Sequence, residues 1–237
     1  MTRARPFPLH TGIAEVTAVT EVTPTLARFT LTHPAFADFG VEEPGEIITL
    51  GWCDAGEELV LPQLGWRFPA GREQHWRNYT VRAIRPQQAE VDVDFFLHGD
   101  VGYASAWAER ARPGAPVGFA GPRLHWKGLN GYDWSLLVAD ETGLPALLAI
   151  LETLPAGHRS IAIAGADDRQ EVATRADVDL RWMPATEIVD AVRDLALPDG
   201  PGAVWGGGHS PAMTKIRRHV RAQRTFPRGA VQVLGYW

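Results

Sequence analysis

The stretch that says most about the fold contains two segments, Arg77-Asn-Tyr79-Thr80-Val-Arg82 and His98-Gly99-Asp-Val-Gly102-Tyr-Ala104-Ser105-Ala-Trp107. The first has the residue types of a short strand and places a cation, an aromatic ring and a hydroxyl group on it. Because alternate residues of a strand share a face, Arg77 and Tyr79 are predicted to lie together and Thr80 to point the other way. The second is a loop broken by glycines, which permit the tight turns that bring backbone amides toward a ligand.

Together the two segments are typical of a site for a planar ring attached to a pyrophosphate. Ser105 is predicted to cap a helix over 106–111, and a helix start binds anions through its free amides and its dipole. Arg77 can pair with a phosphate, Tyr79 can pack against the ring, and Thr80 can hydrogen-bond the ring edge. The interpretation is a flavin dinucleotide site. The alternatives are an exposed strand and an ordinary strand–turn–helix connection with a structural His98.

The composition excludes several kinds of protein. Of 237 residues, 45% are apolar and 22% charged, as is usual for soluble globular proteins. Cys53 is the only cysteine, which excludes an intrachain disulfide, a thiolate iron–sulfur cluster and a cysteine zinc site. No stretch approaches the ~18 apolar residues of a membrane span, and the N-terminus lacks a signal-peptide core. A cytoplasmic protein is therefore expected. No bound metal is predicted, because the His, Asp and Glu residues lack metal-ligand spacing.

The first half of the chain is predicted to form six short strands, which favours a small antiparallel barrel. The strands are expected at 12–20, 25–32, 47–52, 79–84, 91–97 and 117–120. In the fifth strand, Val91 and Phe95 are expected to point one way and Asp92 and Asp94 the other. Residues 53–76 are predicted to be a long loop or hairpin that leads into the strand of Arg77.

The second half changes to strands that alternate with helices, which indicates a doubly wound, mainly parallel sheet. Strands are predicted at 136–139, 161–164, 180–183, 203–205 and 231–234, and helices at 144–153, 186–195 and 211–222. Ligands of such sheets bind beyond the carboxyl ends of the strands. Those ends are predicted to be Asp140-Glu141-Thr142-Gly143, Gly165-Ala-Asp167 and Gly206-Gly-Gly208-His209. We expect the barrel domain to span residues 1–128 and the α/β domain residues 129–237.

Charge is distributed unevenly along the chain. Residues 1–199 carry 17 Lys and Arg against 28 Asp and Glu, whereas residues 200–237 carry six cations and no acid. A field of one sign attracts ligands of the other, so the basic end predicts an anionic partner. The ordinary alternative is a solvated basic helix face. Nucleic acid is not expected, because no matching motif is present and the remainder of the chain is acidic.

The sequence resembles the siderophore-interacting proteins, a family of FAD-dependent ferric-siderophore reductases. The resemblance covers nearly the whole chain. It rests on five groups of residues in order, Arg77 to Arg82, Val93 to Trp107, Gly121-Pro122, Ala139 to Ala146, and Gly235-Tyr236-Trp237. The resemblance implies an FAD-binding barrel joined to a nucleotide-reductase-like α/β domain.

The resemblance also implies roles for individual residues. Arg77, Tyr79 and Thr80 would hold the flavin. The FAD pyrophosphate would be lined by four residues, His98, Gly99, Ala104 and Ser105. Asp140 and Thr142 would lie near the flavin where the two domains meet. No catalytic side chain is assigned, because the flavin itself performs the redox chemistry.

Three departures from the family pattern affect these expectations. Gly206-Gly-Gly208-His209 stands where the family commonly has Ala-Gly-Glu after Trp205, which puts a nicotinamide or proton-transfer role of that loop in doubt. The chain ends at Trp237, where relatives usually continue with a basic tail. The basic helix is expected to bury Met213, Ile216 and Val220 and to leave four arginines largely outward, Arg217, Arg218, Arg221 and Arg224. Siderophore contacts are therefore expected from this helix, at Lys215, Arg217 and Arg221. Tyr103 replaces the usual proline, which is expected to be a minor change.

The function expected from the sequence is reduction of siderophore-bound Fe(III) to Fe(II) by FAD. NADH, NADPH or a ferredoxin would supply the electrons, and Asp167 and Asp168 favour NADH because they would repel a 2′-phosphate. A ferric siderophore is the expected partner, and a monomer is the expected state. The alternatives are a flavin oxidoreductase with another acceptor, such as free flavin, quinone or a protein, and a siderophore-binding protein without turnover.

Overall fold

The computed structural model describes residues 10–40, 44–54, 56–63, 67–68, 74–99, 102–124, 128 and 131–237. The chain divides into two compact units, Met1–His125 and Trp126–Trp237. The first is built on an antiparallel sheet and the second on a parallel sheet. Within the part of the chain that is described, no helix is long and apolar enough to cross a membrane.

In its described residues, the first unit contains a barrel-like sheet of seven strands and one α-helix. Its elements are β1 (His10–Thr23), β2 (Leu26–Thr32), β3 (Ile47–Trp52), β4 (His75–Thr80), β5 (Ala83–Arg85), β6 (Glu90–Phe96), α1 (Tyr103–Arg110) and β7 (Pro116–Arg123). The strand order is β4-β3-β7-β1-β2-β6-β5, and each neighbouring pair is antiparallel. An antiparallel barrel was predicted and is confirmed, but it has one strand more than expected.

The additional strand arises where the predicted strand 79–84 is divided. The Val81 amide donates to the carbonyl of Glu46, just before β3, whereas the Arg82 amide donates to the carbonyl of Asp92 in β6. The chain therefore changes its hydrogen-bonding partner between these two residues. The change of partner separates β4, which pairs with β3, from β5, which pairs with β6. Residue pattern alone could not show it, because both halves have strand-forming residues.

Strand β6 alternates as predicted, but both of its faces are buried. Val91, Val93 and Phe95 belong to the apolar core of the unit. On the other face, Asp94 accepts two hydrogen bonds from Arg28, at 2.7 and 2.8 Å. Asp92 is paired with Arg85, whose Nη2 lies 2.6 Å from Oδ1. Asp92 is only 6% exposed and Asp94 only 4%, and the arginines compensate the desolvation of these two carboxylates.

The second unit has five parallel strands with helices on both faces. Its elements are β8 (Trp134–Asp140), α2 (Leu144–Thr153), β9 (Arg159–Gly165), β10 (Asp177–Met183), α3 (Ile188–Arg193), β11 (Gly202–Gly208), α4 (Ser210–Gln223) and β12 (Val231–Gly235). The strand order is β10-β9-β8-β11-β12. Helix α2 shares a core with Leu137 and Ala139, and helices α3 and α4 share one with Leu136 and Val138. The doubly wound sheet is confirmed.

Strand β11 is longer than predicted and includes the glycines expected to follow it. Gly206 and Gly207 pair with Val138 and Ala139 of β8. A Cβ atom on Gly207 would lie 2.7 Å from the ring of Tyr236, so a side chain at this position would displace that ring. The glycines were interpreted as a loop because they resemble turn residues. They form strand because both edges of the backbone are paired and a neighbouring ring occupies the side-chain space.

Candidate functional site

The first part of the candidate site is the face of β4 that contains Arg77 and Tyr79. The Tyr79 ring stacks on Phe95, with centroids 4.2 Å apart and planes 30° from parallel. One face of Tyr79 is therefore occupied by the core, and burial raises the pKa of its hydroxyl. The Arg77 side chain is exposed, and its Nη1 donates a 2.9 Å hydrogen bond to the Trp76 carbonyl. A fixed aromatic ring and an accessible cation thus lie side by side, as the sequence predicts.

The second part of the site is the start of helix α1. The helix begins at Tyr103, and its N-cap is Gly102, at φ 84° and ψ 153°, without a side-chain cap. The prediction that Ser105 is the N-cap is wrong, because Gly102, three residues earlier, adopts the positive φ that ends the loop. Ser105 lies inside the first turn, is only 4% exposed, and donates a 2.7 Å hydrogen bond to the Gly99 carbonyl. Its oxygen also accepts from the His98 amide at 3.3 Å.

Ser105 therefore fixes the loop before the helix rather than capping the helix. The first-turn amides of a helix have no partner within it. Among the described residues, no hydrogen bond uses the amides of Tyr103, Ala104 or Ser105. These amides, with the positive end of the helix dipole, remain available for an anion.

The two parts are joined by a stacked pair of rings. His75 of β4 and Tyr103 of α1 have centroids 3.3 Å apart and planes 12° from parallel. The pKa of Tyr103 is raised, chiefly by its interaction with Asp54, and His75 Nε2 lies 3.7 Å from Oδ1 of that carboxylate. His75 and Arg77 are alternate residues of β4 and therefore share one face. The stack of Tyr103 on His75 thus brings the helix start to the face of β4 that contains Arg77.

No role in the site was predicted from the sequence for His75, Tyr103 or Asp54. Tyr103 was expected to be a minor change, whereas in the structure it connects the two segments of the site. The spacing of His75, two residues before Arg77, was a usable signal for its face of the strand. Nothing in the sequence indicated Asp54, which lies 21 positions before His75.

The residues present fit the pyrophosphate of a flavin dinucleotide. Gly99 and Gly102 have φ values of +79° and +84°, and a Cβ atom built on either would meet nothing within 4 Å. There is therefore open space beside the backbone at these two glycines. Free helix amides and an exposed guanidinium supply donors and positive charge, which is the donor set that a dianionic pyrophosphate requires.

The opposite face of β4 holds a polar cluster of Thr49, Asn78 and Arg123. The Arg123 Nη2 donates to Thr49 Oγ1 at 2.6 Å and to Asn78 Oδ1 at 2.7 Å. Burial lowers the pKa of Arg123. Thr80, the last residue of β4, lies on this side of the strand and is only 6% exposed. The structure thus separates Thr80 from Tyr79 as the alternation predicts.

Asp140 and Thr142 belong to the second unit, so their predicted position near the flavin stays a prediction. The Asp140 carboxylate is 2% exposed. Its Oδ1 accepts from the Thr142 amide at 2.9 Å and the Thr142 hydroxyl at 2.6 Å, and its Oδ2 accepts from the His209 amide at 2.6 Å. Asp140 therefore connects the ends of β8 and β11. Burial, followed by the charges of Asp140 and Asp167, raises the pKa of the adjacent Glu141.

The basic helix predicted near the end of the chain is α4. Its buried stripe consists of Met213, Ile216 and Val220, as predicted. Its outward side chains include three residues predicted to contact the substrate, Lys215, Arg217 and Arg221, all of which are exposed. Arg224 was also expected to point outward, and this is wrong. Its guanidinium lies 5.4 Å from the Trp134 ring centroid, and Nη1 and Nη2 donate to the carbonyls of Gly200 and Leu197.

Two family models match this chain. The siderophore-interacting FAD-binding domain matches residues 15–126, and the siderophore-interacting protein model matches residues 132–237. The chain belongs to the siderophore-interacting protein family. Its first unit is the FAD-binding domain of that family, and this unit contains the cradle formed by β4 and α1.

Individual relatives agree with this membership. The chain is 25% identical over 234 residues to the ferric vibriobactin reductase of Vibrio cholerae, covering 91% of this chain and 85% of the relative. It is 29% identical over 186 residues to the NADPH-dependent ferric-chelate reductase of Escherichia coli, covering 75% and 72%. The crystal structure of the siderophore-interacting protein SipS from Aeromonas hydrophila is similar with a TM-score of 0.83 and 30% identity, covering 96% and 91%.

Proposed function

We propose that this protein is an FAD-dependent reductase that converts the Fe(III) of a ferric siderophore to Fe(II). The observation that supports this most directly is the convergence of Arg77 and the free amides of α1 in a unit that belongs to the FAD-binding domain family. The names of two relatives, a ferric vibriobactin reductase and a ferric-chelate reductase, point to the same reaction. Reduction releases the iron because hard oxygen ligands hold Fe(III) more tightly than the softer Fe(II).

The cradle in the first unit would hold the FAD. Arg77 and the amides of Ala104 and Ser105 would bind the pyrophosphate, and the loop at His98 and Gly99 would line it. Tyr79 would offer the flavin ring the face that Phe95 does not cover. Thr80 lies on the opposite face of β4 and is 6% exposed, so its hydroxyl would reach the ring edge only if the end of the strand twists toward the flavin. Asp140 and Thr142, in the second unit, are expected near the flavin.

Bound FAD supplies the redox chemistry, since a flavin accepts two electrons as hydride and passes electrons on singly. The protein's part is to orient the ring and keep its edge accessible to the chelate. The fixed stack of Tyr79 on Phe95 serves the first task. One hydride carries two electrons, so each nicotinamide oxidised reduces two Fe(III) ions.

The exposed cations of α4 would attract the substrate. Lys215, Arg217 and Arg221 lie on one helix whose flanking sequence, residues 200–237, contains no acid. A siderophore complex that bears carboxylates or catecholates is anionic and would be drawn to this surface. An acidic electron donor such as a ferredoxin would be drawn to it for the same reason.

The electron donor is proposed to be NADH, NADPH or a reduced ferredoxin. Asp167 and Asp168 follow β9 and favour NADH, because a carboxylate repels a 2′-phosphate. The Escherichia coli relative is named for NADPH, which favours the other nucleotide. These donors belong to the cytoplasm, so the reaction is proposed there. A single chain contains both family domains, so a monomer would suffice.

The test is an anaerobic donor–acceptor experiment on the purified protein. The protein is expected to bind FAD, with a flavin absorption spectrum, and to be reduced by one of the three donors. Adding a ferric siderophore with an Fe(II)-specific chelator should then yield two Fe(II) per nicotinamide oxidised. A variant with Arg77→Gln should bind FAD more weakly, whereas Arg112→Gln, an exposed arginine away from the cradle, should not.

Three results would contradict the proposal. Failure of the protein to bind FAD or FMN would exclude both flavoenzyme functions and leave a binding protein. Flavin reduction without Fe(II) formation, together with rapid reduction of quinone or free flavin, would indicate the other oxidoreductase. Fe(II) formation at the same rate without bound flavin would show that the cradle plays no part.

A further inference from the structure

Tyr103 presents a fixed aromatic surface to solvent. Its side chain is 45% exposed although one face of the ring is covered by His75. The His75 ring on which Tyr103 stacks has its Nε2 3.7 Å from the Asp54 carboxylate. The other exposed large apolar side chains described in this unit, Ile13 and Val19, are aliphatic. A ring that is held on one face and open on the other is a ready stacking surface.

The position of this ring follows from the order of residues along β4. His75, Arg77 and Tyr79 lie on one face at successive separations of about 7 Å, because a strand rises ~3.3 Å per residue. If the flavin ring lies at Tyr79 and the pyrophosphate at Arg77, the next part of the dinucleotide reaches His75. That part is the adenosine, and the ring stacked on His75 is Tyr103.

We propose that Tyr103, supported by His75, is the platform on which the adenine of FAD stacks. This inference rests on the proposed function, because it takes the order of the FAD parts from the cradle at Arg77. The platform makes the site selective for FAD over FMN, because FMN has no adenine to place there.

The test compares the affinities of the flavin-free full-length protein for FAD and for FMN. Tyr103→Leu should weaken FAD binding roughly tenfold or more, as expected from the loss of one base–aromatic stack. Its affinity for FMN should change less than twofold. ADP, which carries both adenine and pyrophosphate, should compete with FAD in the wild type and about tenfold less well in Tyr103→Leu. Fluorescence titration and calorimetry measure these constants without any turnover.

The matched control is Tyr103→Phe, which keeps the ring and removes the hydroxyl. It should retain FAD affinity within about threefold. FAD affinity unchanged in Tyr103→Leu would overturn the platform while leaving the proposed function intact. Equal loss of FAD and FMN affinity would also overturn it, because the ring would then act only by holding the helix start. A wild-type protein that binds neither flavin would instead refute the proposed function.

Discussion

Replacing Asp140 by asparagine should destabilise the second unit without removing the FAD cradle. The carboxylate accepts from the Thr142 amide and hydroxyl through Oδ1 and from the His209 amide through Oδ2. Asparagine can keep the oxygen at the Oδ1 position. In the wild type, Oδ2 accepts from the His209 amide at 2.6 Å. In the variant the asparagine NH₂ group would take the place of Oδ2, so two hydrogen-bond donors would face each other.

The size of the effect follows from these contacts. A hydrogen bond to a charged group contributes about 1.5–3 kcal/mol, and a buried donor left without a partner costs about 1–3 kcal/mol. Partial relaxation of the His209 loop reduces their sum, so a loss of about 2–4 kcal/mol is expected. Domains are stable by only about 5–15 kcal/mol. With a urea slope of about 2 kcal/mol per molar, the midpoint should fall by about 1–2 M.

The assay is urea denaturation of the flavin-free protein, followed by circular dichroism. Glu141→Gln is the matched control, because it removes the neighbouring carboxylate without touching the contacts of Asp140, and its midpoint should move little. FAD affinity, measured under conditions where Asp140→Asn is folded, reports separately on the expected position of Asp140 near the flavin. An unchanged midpoint would refute this reasoning, because it would mean that the contacts of Asp140 with Thr142 and His209 do not hold the loop.

Three further predictions concern the cradle, the barrel and the basic helix. Ser105→Ala removes the hydroxyl that fixes the loop before α1. FAD affinity, measured by titration, should fall about fivefold or more, because a typical hydrogen bond contributes about 1 kcal/mol. Equal FAD affinity in this variant and the wild type would contradict the prediction. Burial raises the pKa of Asp92, but hydrogen bonds from Arg85 and Thr30 outweigh burial, so the pKa is lowered overall. The stability that the Asp92–Arg85 pair contributes is therefore present above pH ~4 and is lost as the pH falls through the lowered pKa. Asp92→Asn should therefore cost about 3 kcal/mol in urea at pH 7 and progressively less toward pH 3. Reversing Arg217 and Arg221 to Glu should raise the KM for an anionic ferric siderophore several-fold at low salt and less at high salt. Arg112→Glu, on the first unit, serves as the control, and a salt-independent KM would exclude the basic face.

Much of the site was predictable because its residues are close in sequence. The face shared by Arg77 and Tyr79 follows from the period of a strand. The free helix start follows from a glycine-broken loop before a helical segment. The N-cap was assigned incorrectly because Ser105 has a strong capping preference, whereas the positive φ of Gly102 decides where the helix begins. Local preference could not reveal that Ser105 is instead buried against its own loop.

The sequence by itself determined that a barrel precedes a doubly wound sheet, and that Arg77 and Tyr79 share one face of a strand, because both depend on local periodicity. Only the tertiary structure decided which residues complete the site. Tyr103 stacks on His75 because the fold brings the start of α1 against β4, a distant part of the chain. In the same way, Arg224 leaves the basic face because carbonyls of Leu197 and Gly200 stand beside it. Such contacts join residues far apart in the sequence, and no local pattern encodes them.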